Sequence, residues 1–269
     1  MDSALLLALL SSIGIYTHLY YRYHRPIAFN TIPYSTELIS DIKIPYRVRG
    51  YLKPFSLWTI LYFKNKYGNE DVHVLHSPHT RCSVKNAETI PMKLGDYIDQ
   101  YIMSNNPHRT KYYFKSEDAY QFLKSIHLEQ PIFNHFKEYL PSHTYFSTSF
   151  WMGPKGSTTT FHYDTDHSNF LCLLEGSKRI YMLSPEANHK MKKIKTSYGN
   201  YWSDLDMSNN TLITKMKEKQ ELYEIILHPG EILNIPRYVW HAVENLDNTV
   251  SFTFHYYTIQ SVLFDPINQ

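Results

Sequence analysis

From residue 144 onward, apolar and polar residues alternate in short runs. A period of two places every second side chain on the same face, so each run predicts a half-buried β-strand. Turn residues such as Pro229-Gly230 and Asp247-Asn248 separate the runs. Many short strands with regular turns are typical of an antiparallel sandwich or barrel. The predicted strands are 145–152, 158–163, 169–174, 179–183, 224–227, 232–235, 242–245 and 249–257.

The region before residue 144 has a mixed pattern. Apolar residues at helical spacing predict helices at 57–67 and 93–103 and helical turns at 119–139. Short apolar runs predict strands at 72–75 and 111–114. The chain is therefore expected to be mainly β with flanking helices.

The same patterns divide the domain into parts. Residues 46–143 are the helical and mixed N-terminal part, and residues 144–262 form the β core. A polar, lysine-rich stretch at 186–223 interrupts the strands. We interpret it as an insertion that lies on the surface at the rim of the barrel.

The first residues have a different pattern. Residues 4–21 carry no formal charge and are strongly apolar, and a helix of this length just spans a bilayer. Residues 1–25 are therefore predicted to be a single-pass membrane anchor, followed by a linker at 26–45. A cleaved signal peptide fits less well, because Asp2 stands where a basic residue is usual. A buried or interfacial helix is the third interpretation. Arg22 and Arg25 follow the apolar stretch, and by the positive-inside rule this predicts that the rest of the chain faces the cytosol.

Composition excludes several classes. Charged residues make up 19% of the 269 residues and apolar residues 43%, which excludes a disordered or low-complexity chain. A net charge of +2 gives no indication of a nucleic-acid partner. Two cysteines cannot form a disulfide scaffold and fit a reducing compartment. The 15 histidines exceed what a core of this size needs.

Three of the polar residues suggest chemistry. His162 and Asp164 end a predicted strand, and side chains two apart share a face. His241 follows the strand predicted at 232–235. Two imidazoles and one carboxylate form the facial triad of non-haem Fe(II) oxygenases, which leaves open positions on the metal. The His-x-Asp pair alone is a weak signal in a chain with this many histidines.

Three motifs make the signal specific. They are FWMGPKGSTTTFHYD at 150–164, NFLCLLEGSKRIYMLSP at 169–185 and HPGEILNIPRYVWHAVEN at 228–245. In this order and spacing they resemble the JmjC, cupin-like family of Fe(II)- and 2-oxoglutarate-dependent oxygenases. The resemblance covers roughly residues 40 to 260. It is strongest to the small protein-hydroxylase branch, which includes the asparaginyl hydroxylase of hypoxia-inducible factor. It implies a double-stranded β-helix, also called a jelly roll.

The resemblance also implies roles for single residues. His162, Asp164 and His241 match the metal ligands. Thr159 matches a residue whose hydroxyl contacts the cosubstrate, and Lys178 matches the cation that pairs with the distal carboxylate of 2-oxoglutarate. Further candidates for contact with the cosubstrate are Asn169, Tyr113 (or its neighbour Tyr112) and His255, which stands where the asparaginyl hydroxylase has an asparagine.

The implied activity is hydroxylation of a protein side chain with Fe(II) and 2-oxoglutarate. The same chemistry on an N-methyl carbon would make the chain a lysine demethylase. A small molecule or lipid is a further possible substrate, since residues 4–21 would hold the site near a bilayer. A cupin-like barrel without metal would be a binding module, and the same triad with zinc or nickel would suit an isomerase.

Overall fold

The computed structural model describes residues 44–77, 88–115, 122–140, 145–165, 168–192, 194–195, 201–203 and 209–257, together with residues 11, 32–35, 37–38, 205 and 207. Its strands are β1 (Tyr46–Arg49), β2 (Asp71–His76), β3 (Glu88–Lys93), β4 (Tyr112–Lys115), β5 (Tyr145–Gly153), β6 (Thr158–Tyr163), β7 (Ser168–Glu175), β8 (Lys178–Leu183), β9 (Ile194–Lys195), β10 (Tyr201–Trp202), β11 (Leu222–Leu227), β12 (Glu231–Pro236), β13 (His241–Asn245) and β14 (Thr249–Tyr257).

Four α-helices with defined bounds flank the strands, and residues 122–125 are also helical. The predicted helix at 93–103 is confirmed, and its second half is wound as a π-helix at Ile98–Ile102. Short 3₁₀ helices lie at Lys53–Phe55, Arg109–Lys111, Lys137–Tyr139 and Pro185–Lys190. The α-helices are α1 (Ile60–Tyr67), α2 (Leu94–Tyr97), α3 (Glu129–Phe136) and α4 (Asn210–Glu218).

The strands form two antiparallel sheets. The larger has the order β1-β12-β7-β14-β5-β4-β2-β3, and the smaller has the order β11-β8-β13-β6-β10-β9. Strands that are neighbours in sequence often lie in different sheets, which is the jelly-roll arrangement expected for a cupin-like chain. All eight strands predicted after residue 144 are confirmed within a few residues at each end.

Because side chains alternate along a strand, successive residues of one strand belong to different apolar clusters. Phe170 and Cys172 of β7 face the helices, together with Phe63 of α1. The next residues on the same strand, such as Leu171, face inward between the sheets, where they meet Ile180 of β8. Met182 of this inward cluster pairs with His241 across β8 and β13, so the cluster borders the polar site residues on the same inner face.

A β-bulge changes the alternation in β6. His241 pairs with His162, but Val243 pairs with Thr159, so β6 contains one residue more than β13 over this stretch. Paired residues share a face, and the bulge therefore puts Thr159 and His162 on the same inner face despite their odd spacing. Without the bulge, Thr159 would point away from the site.

The insertion predicted at 186–223 is more than a surface excursion. Its described residues include Ala187, Met191, Ile213 and Met216, which are buried against the outer face of the smaller sheet. Its short strand β10 pairs with β6 and so extends that sheet. Sequence pattern missed this because a two-residue strand has no periodicity to detect.

The predicted membrane anchor at 1–25 lies outside the described residues, apart from residue 11. Among the residues that are described, no helix has the length and apolar character needed to cross a membrane.

A buried carboxylate ties the start of β12 to β1. Glu231 is 1% exposed, and its Oε1 accepts hydrogen bonds from the Tyr34 hydroxyl and from Arg49 Nε, both at 2.6 Å. Its Oε2 accepts from the backbone N–H of His228 at 2.9 Å. Glu231 therefore has a structural role, joining β1 and the turn before β12.

We expect Glu231→Ala to lower the free energy of unfolding by about 1–3 kcal/mol, because it removes a buried carboxylate that accepts three hydrogen bonds. Urea denaturation followed by circular dichroism measures this. Glu218→Ala, at an exposed position of α4, is the matched control and should change stability little. Equal stability of the two variants would contradict the structural role of Glu231.

Candidate metal centre and anion pocket

The three candidate ligands meet where β6 and β13 lie side by side. His162 and His241 are directly opposite each other in the strand pair, and their ring centroids are 4.2 Å apart. Asp164 follows β6, and its carboxylate lies 3.9 Å from His162 Nε2 and 3.7 Å from His241 Nε2. Strand pairing thus brings together residues that are distant in sequence.

Backbone carbonyls fix the orientation of both imidazoles. His162 Nδ1 donates to the carbonyl of Thr160, and His241 Nδ1 donates to the carbonyl of Val239, both at 2.9 Å. A carbonyl only accepts, so each Nδ1 carries the proton and each Nε2 has a free lone pair. Both Nε2 atoms face Asp164, which is how histidine ligands are prepared for a metal.

Electrostatics favour the protonation states that a metal requires. Burial and then the neighbouring His241 lower the pKa of His162 to about 3, so its imidazole is neutral at pH 7. Burial alone would raise the pKa of Asp164, but the adjacent imidazoles hold it below its ordinary value. The group therefore offers the Nε2 atoms of two imidazoles and one carboxylate.

This donor set fits one divalent ion. Its ligand atoms all lie within 4.8 Å of one another, close to the spread that bonds of about 2.1 Å to a single ion allow. Two imidazoles and one carboxylate on one side leave the opposite positions open, which is the arrangement of non-haem Fe(II) sites. Such an ion could bind a chelating ligand and O2 at the open positions.

Two contacts hold the carboxylate and its loop. The Asn169 side-chain amide donates to Asp164 Oδ2 at 2.7 Å. The backbone N–H of Tyr238, in the turn before His241, donates to the Asp164 carbonyl at 3.0 Å. Tyr238 has a φ of 62°, in the left-handed region that non-glycine residues rarely adopt. Such strain is common in the turns that position functional residues.

His255 lies on the same inner face. It pairs across the strands with Asn169, and its Nε2 is 2.9 Å from Thr253 Oγ1, which also accepts a hydrogen bond from Trp151 Nε1. The structure therefore brings the candidates Asn169 and His255 together beside Asp164.

Lys178 forms the far end of the pocket. It is 1% exposed, and its Nζ donates to the Tyr113 hydroxyl at 3.2 Å and to Asn245 Oδ1 at 3.0 Å. These partners are a neutral phenol and a neutral amide, so neither offsets the ammonium charge. A buried cation of this kind is suited to bind an anion.

The structure also decides between the two tyrosine candidates. Tyr113 contacts Lys178, whereas Tyr112 stacks outside the pocket between Tyr101 and His76. Gly153 makes room for Tyr113, since an added Cβ would meet the Tyr113 ring at 2.5 Å.

Sequence reasoning missed three residues of the pocket. Asn245 is four residues after His241 on one strand, and Lys115 is two after Tyr113, so period-two alternation could have found both. Trp202 carried no such signal. Its ring stacks on His162 with centroids 4.5 Å apart and an interplanar angle of 14°.

Comparisons with known proteins agree with this geometry. Residues 45–261 match the family described as "Cupin-like domain". "JmjC domain-containing protein D" of Dictyostelium discoideum is 35% identical over 104 residues, which cover 38% of this chain and 23% of that protein. "Lysine-specific demethylase 8" of Xenopus tropicalis is 28% identical over 187 residues, which cover 64% of this chain and 42% of that protein.

A third relative is "HSPB1-associated protein 1" of Homo sapiens, 27% identical over 103 residues, which cover 37% of this chain and 21% of that protein. In each of these relatives, the matched region spans less than half of the protein's length. The family match, at residues 45–261, includes the triad and Lys178.

The charge of Lys178 predicts a pH dependence of anion binding. Burial and then the charge of Lys115 lower the pKa of Lys178 to about 7. A dicarboxylate binds the protonated form, so its affinity should be greatest below about pH 7 and fall, by at most about tenfold per pH unit, as the pH rises above 7. Calorimetric titration of the Mn(II)-loaded protein with 2-oxoglutarate measures this. Lys178→Arg stays protonated and is the matched control. A flat profile for the wild-type protein would contradict the lowered pKa.

The stacking of Trp202 predicts a contribution to metal affinity. We expect Trp202→Leu to weaken Mn(II) binding roughly tenfold, since the ring restrains His162 in the orientation that its Nε2 needs. The paramagnetic resonance signal of free Mn(II) gives the affinity. Trp202→Phe keeps an aromatic ring and should retain most of it. The restraint is disproved if both variants bind Mn(II) as tightly as the wild-type protein.

Proposed function

The chain belongs to the cupin-like family that includes the JmjC proteins, and from this premise we propose that it is an Fe(II)- and 2-oxoglutarate-dependent oxygenase. The observation that carries the proposal is the joint placement of two sites on the inner face of the smaller sheet. One is the triad of His162, Asp164 and His241, and the other is the buried Lys178. A metal site alone would also suit an isomerase, whereas a buried cation nearby suits a dicarboxylate cosubstrate.

Each site has a role in the proposed reaction. Fe(II) on the triad would be the place where 2-oxoglutarate and O2 react to give succinate and CO2, with one oxygen atom ending in succinate and the other in a new C–OH group. Lys178 and Tyr113 would hold the distal carboxylate of the cosubstrate. Thr159 lies on the same inner face and would contact it as well. Asn169 and His255 would orient Asp164 and the cosubstrate from the opposite sheet.

We further propose that the substrate is a protein side chain that becomes hydroxylated at carbon. A second candidate, removal of an N-methyl group, is favoured by the name of the relative "Lysine-specific demethylase 8". One feature of this chain supports hydroxylation instead. The ammonium of Lys115 lies 5.9 Å from the Trp151 ring and 5.8 Å from the Trp202 ring. Aromatic faces of this kind bind methylated ammonium groups, and a second cation there would be repelled by Lys115.

A binding module without catalysis is the remaining alternative. The fixed Nδ1 protons and converging Nε2 atoms support a working metal site. Measurement of iron content together with succinate release from 2-oxoglutarate separates the two. Absence of both would support the binding module.

Removal of the carboxylate tests the metal assignment. We expect Asp164→Ala to reduce 2-oxoglutarate-dependent succinate formation to background, because two neutral imidazoles hold Fe(II) poorly without the anionic ligand. Asp71→Ala, at an exposed position of β2, is the control and should keep full turnover. Full turnover by purified Asp164→Ala protein would contradict the iron site.

A comparison of the wild-type protein with Asp164→Ala identifies the substrate. Mn(II)-loaded protein captures binding partners from a lysate, and mass spectrometry after reaction with Fe(II) detects the product. A product that keeps one added oxygen atom indicates hydroxylation, whereas loss of a methyl group with formaldehyde release indicates demethylation. Either product must be missing with Asp164→Ala.

A further inference from the structure

A second buried lysine lies in the pocket. Lys115 is 2% exposed and follows Tyr113 by two residues on β4, so both side chains point to the same inner face. Its Nζ is 3.5 Å from Thr159 Oγ1. The Tyr113 ring centroid is 5.5 Å from Lys115 Nζ and 5.8 Å from Lys178 Nζ. The two ammonium groups therefore share one aromatic ring.

Lys115 lies between the two ends of the pocket. Toward the far end, its charge is, after burial, the second cause that lowers the pKa of Lys178. Toward the metal end, it lies over the Trp202 ring, which stacks on His162. A molecule that reaches from the triad to Lys178 would therefore pass Lys115.

Two buried cations around one ring favour an anionic occupant. Two ammonium groups around one ring repel each other, and a dianion bound between them would lower that repulsion. The hydroxyl of Thr159, next to Lys115, is also a candidate contact for the cosubstrate. The charge of Lys115, its position and its neighbour Thr159 therefore all indicate the dicarboxylate cosubstrate as the ligand.

We propose that Lys115 is a second cationic contact for the 2-oxoglutarate cosubstrate, so that two lysines rather than one hold the dicarboxylate. The inference rests on the proposed oxygenase function and adds a residue to its binding site. Lys115 then determines how strongly the pocket prefers a dianion.

The test measures how one substitution changes the affinity for two ligands, 2-oxoglutarate and Mn(II). In Lys115→Met, 2-oxoglutarate should bind the Mn(II)-loaded protein roughly ten- to hundredfold more weakly, as expected for loss of a charged hydrogen-bond partner. Mn(II) alone should bind as tightly as before or more tightly, because a cation near His162 has been removed. Calorimetry gives the first affinity, and the paramagnetic resonance signal of free Mn(II) gives the second. Lys115→Gln, which keeps a polar side chain of similar reach, should show the same pair of shifts.

Each outcome has one meaning. Weaker cosubstrate binding with unchanged or tighter Mn(II) binding, in both variants, supports the proposal. Weaker binding of both ligands would indicate a structural role for Lys115 and overturn it, and unchanged 2-oxoglutarate affinity would overturn it as well. If the wild-type protein itself binds no 2-oxoglutarate, the proposed oxygenase function fails, whatever the variants do.

Discussion

The pairing of β6 with β13 is the constraint on which the rest of the site depends. It sets His162 directly opposite His241, and the bulge within it turns Thr159 to the same inner face. β13 is also hydrogen-bonded to β8 on its other side, where Asn245 lies opposite Lys178. One central strand therefore fixes both the metal end and the anion end of the pocket. A slip of one residue in this pairing would turn every one of these side chains to the outer, apolar face.

Electrostatics give the pocket its second constraint. The described part of the site combines one carboxylate, Asp164, with two imidazoles and two buried lysines. Burial penalises the ammonium of Lys178, and the charge of Lys115 adds to that penalty. An anion bound beside Lys178 would offset this cost. The lowered pKa of Lys178 is the measurable sign of this cost.

The insertion contributes to the site through the smaller sheet. Its buried residues cover the outer face of that sheet, and β10 lengthens the sheet beside β6. Trp202 follows from this pairing, since it lies directly opposite His162 and stacks on the imidazole. A segment that looks like a polar surface excursion in sequence thus carries a side chain that touches a candidate ligand. The stacking of Trp202 on His162 therefore links the insertion to the candidate metal centre.

The sequence alone determined the strand pattern after residue 144, the jelly-roll class and the motifs that place His162, Asp164, His241 and Lys178, because alternation and motif spacing are local properties. Only the tertiary structure decided which tyrosine faces Lys178, how Thr159 reaches the inner face, and that Trp202 joins the site. These depend on strand register, on a bulge and on pairing between segments far apart in the chain. Such long-range contacts leave no periodic trace in the local order of residues.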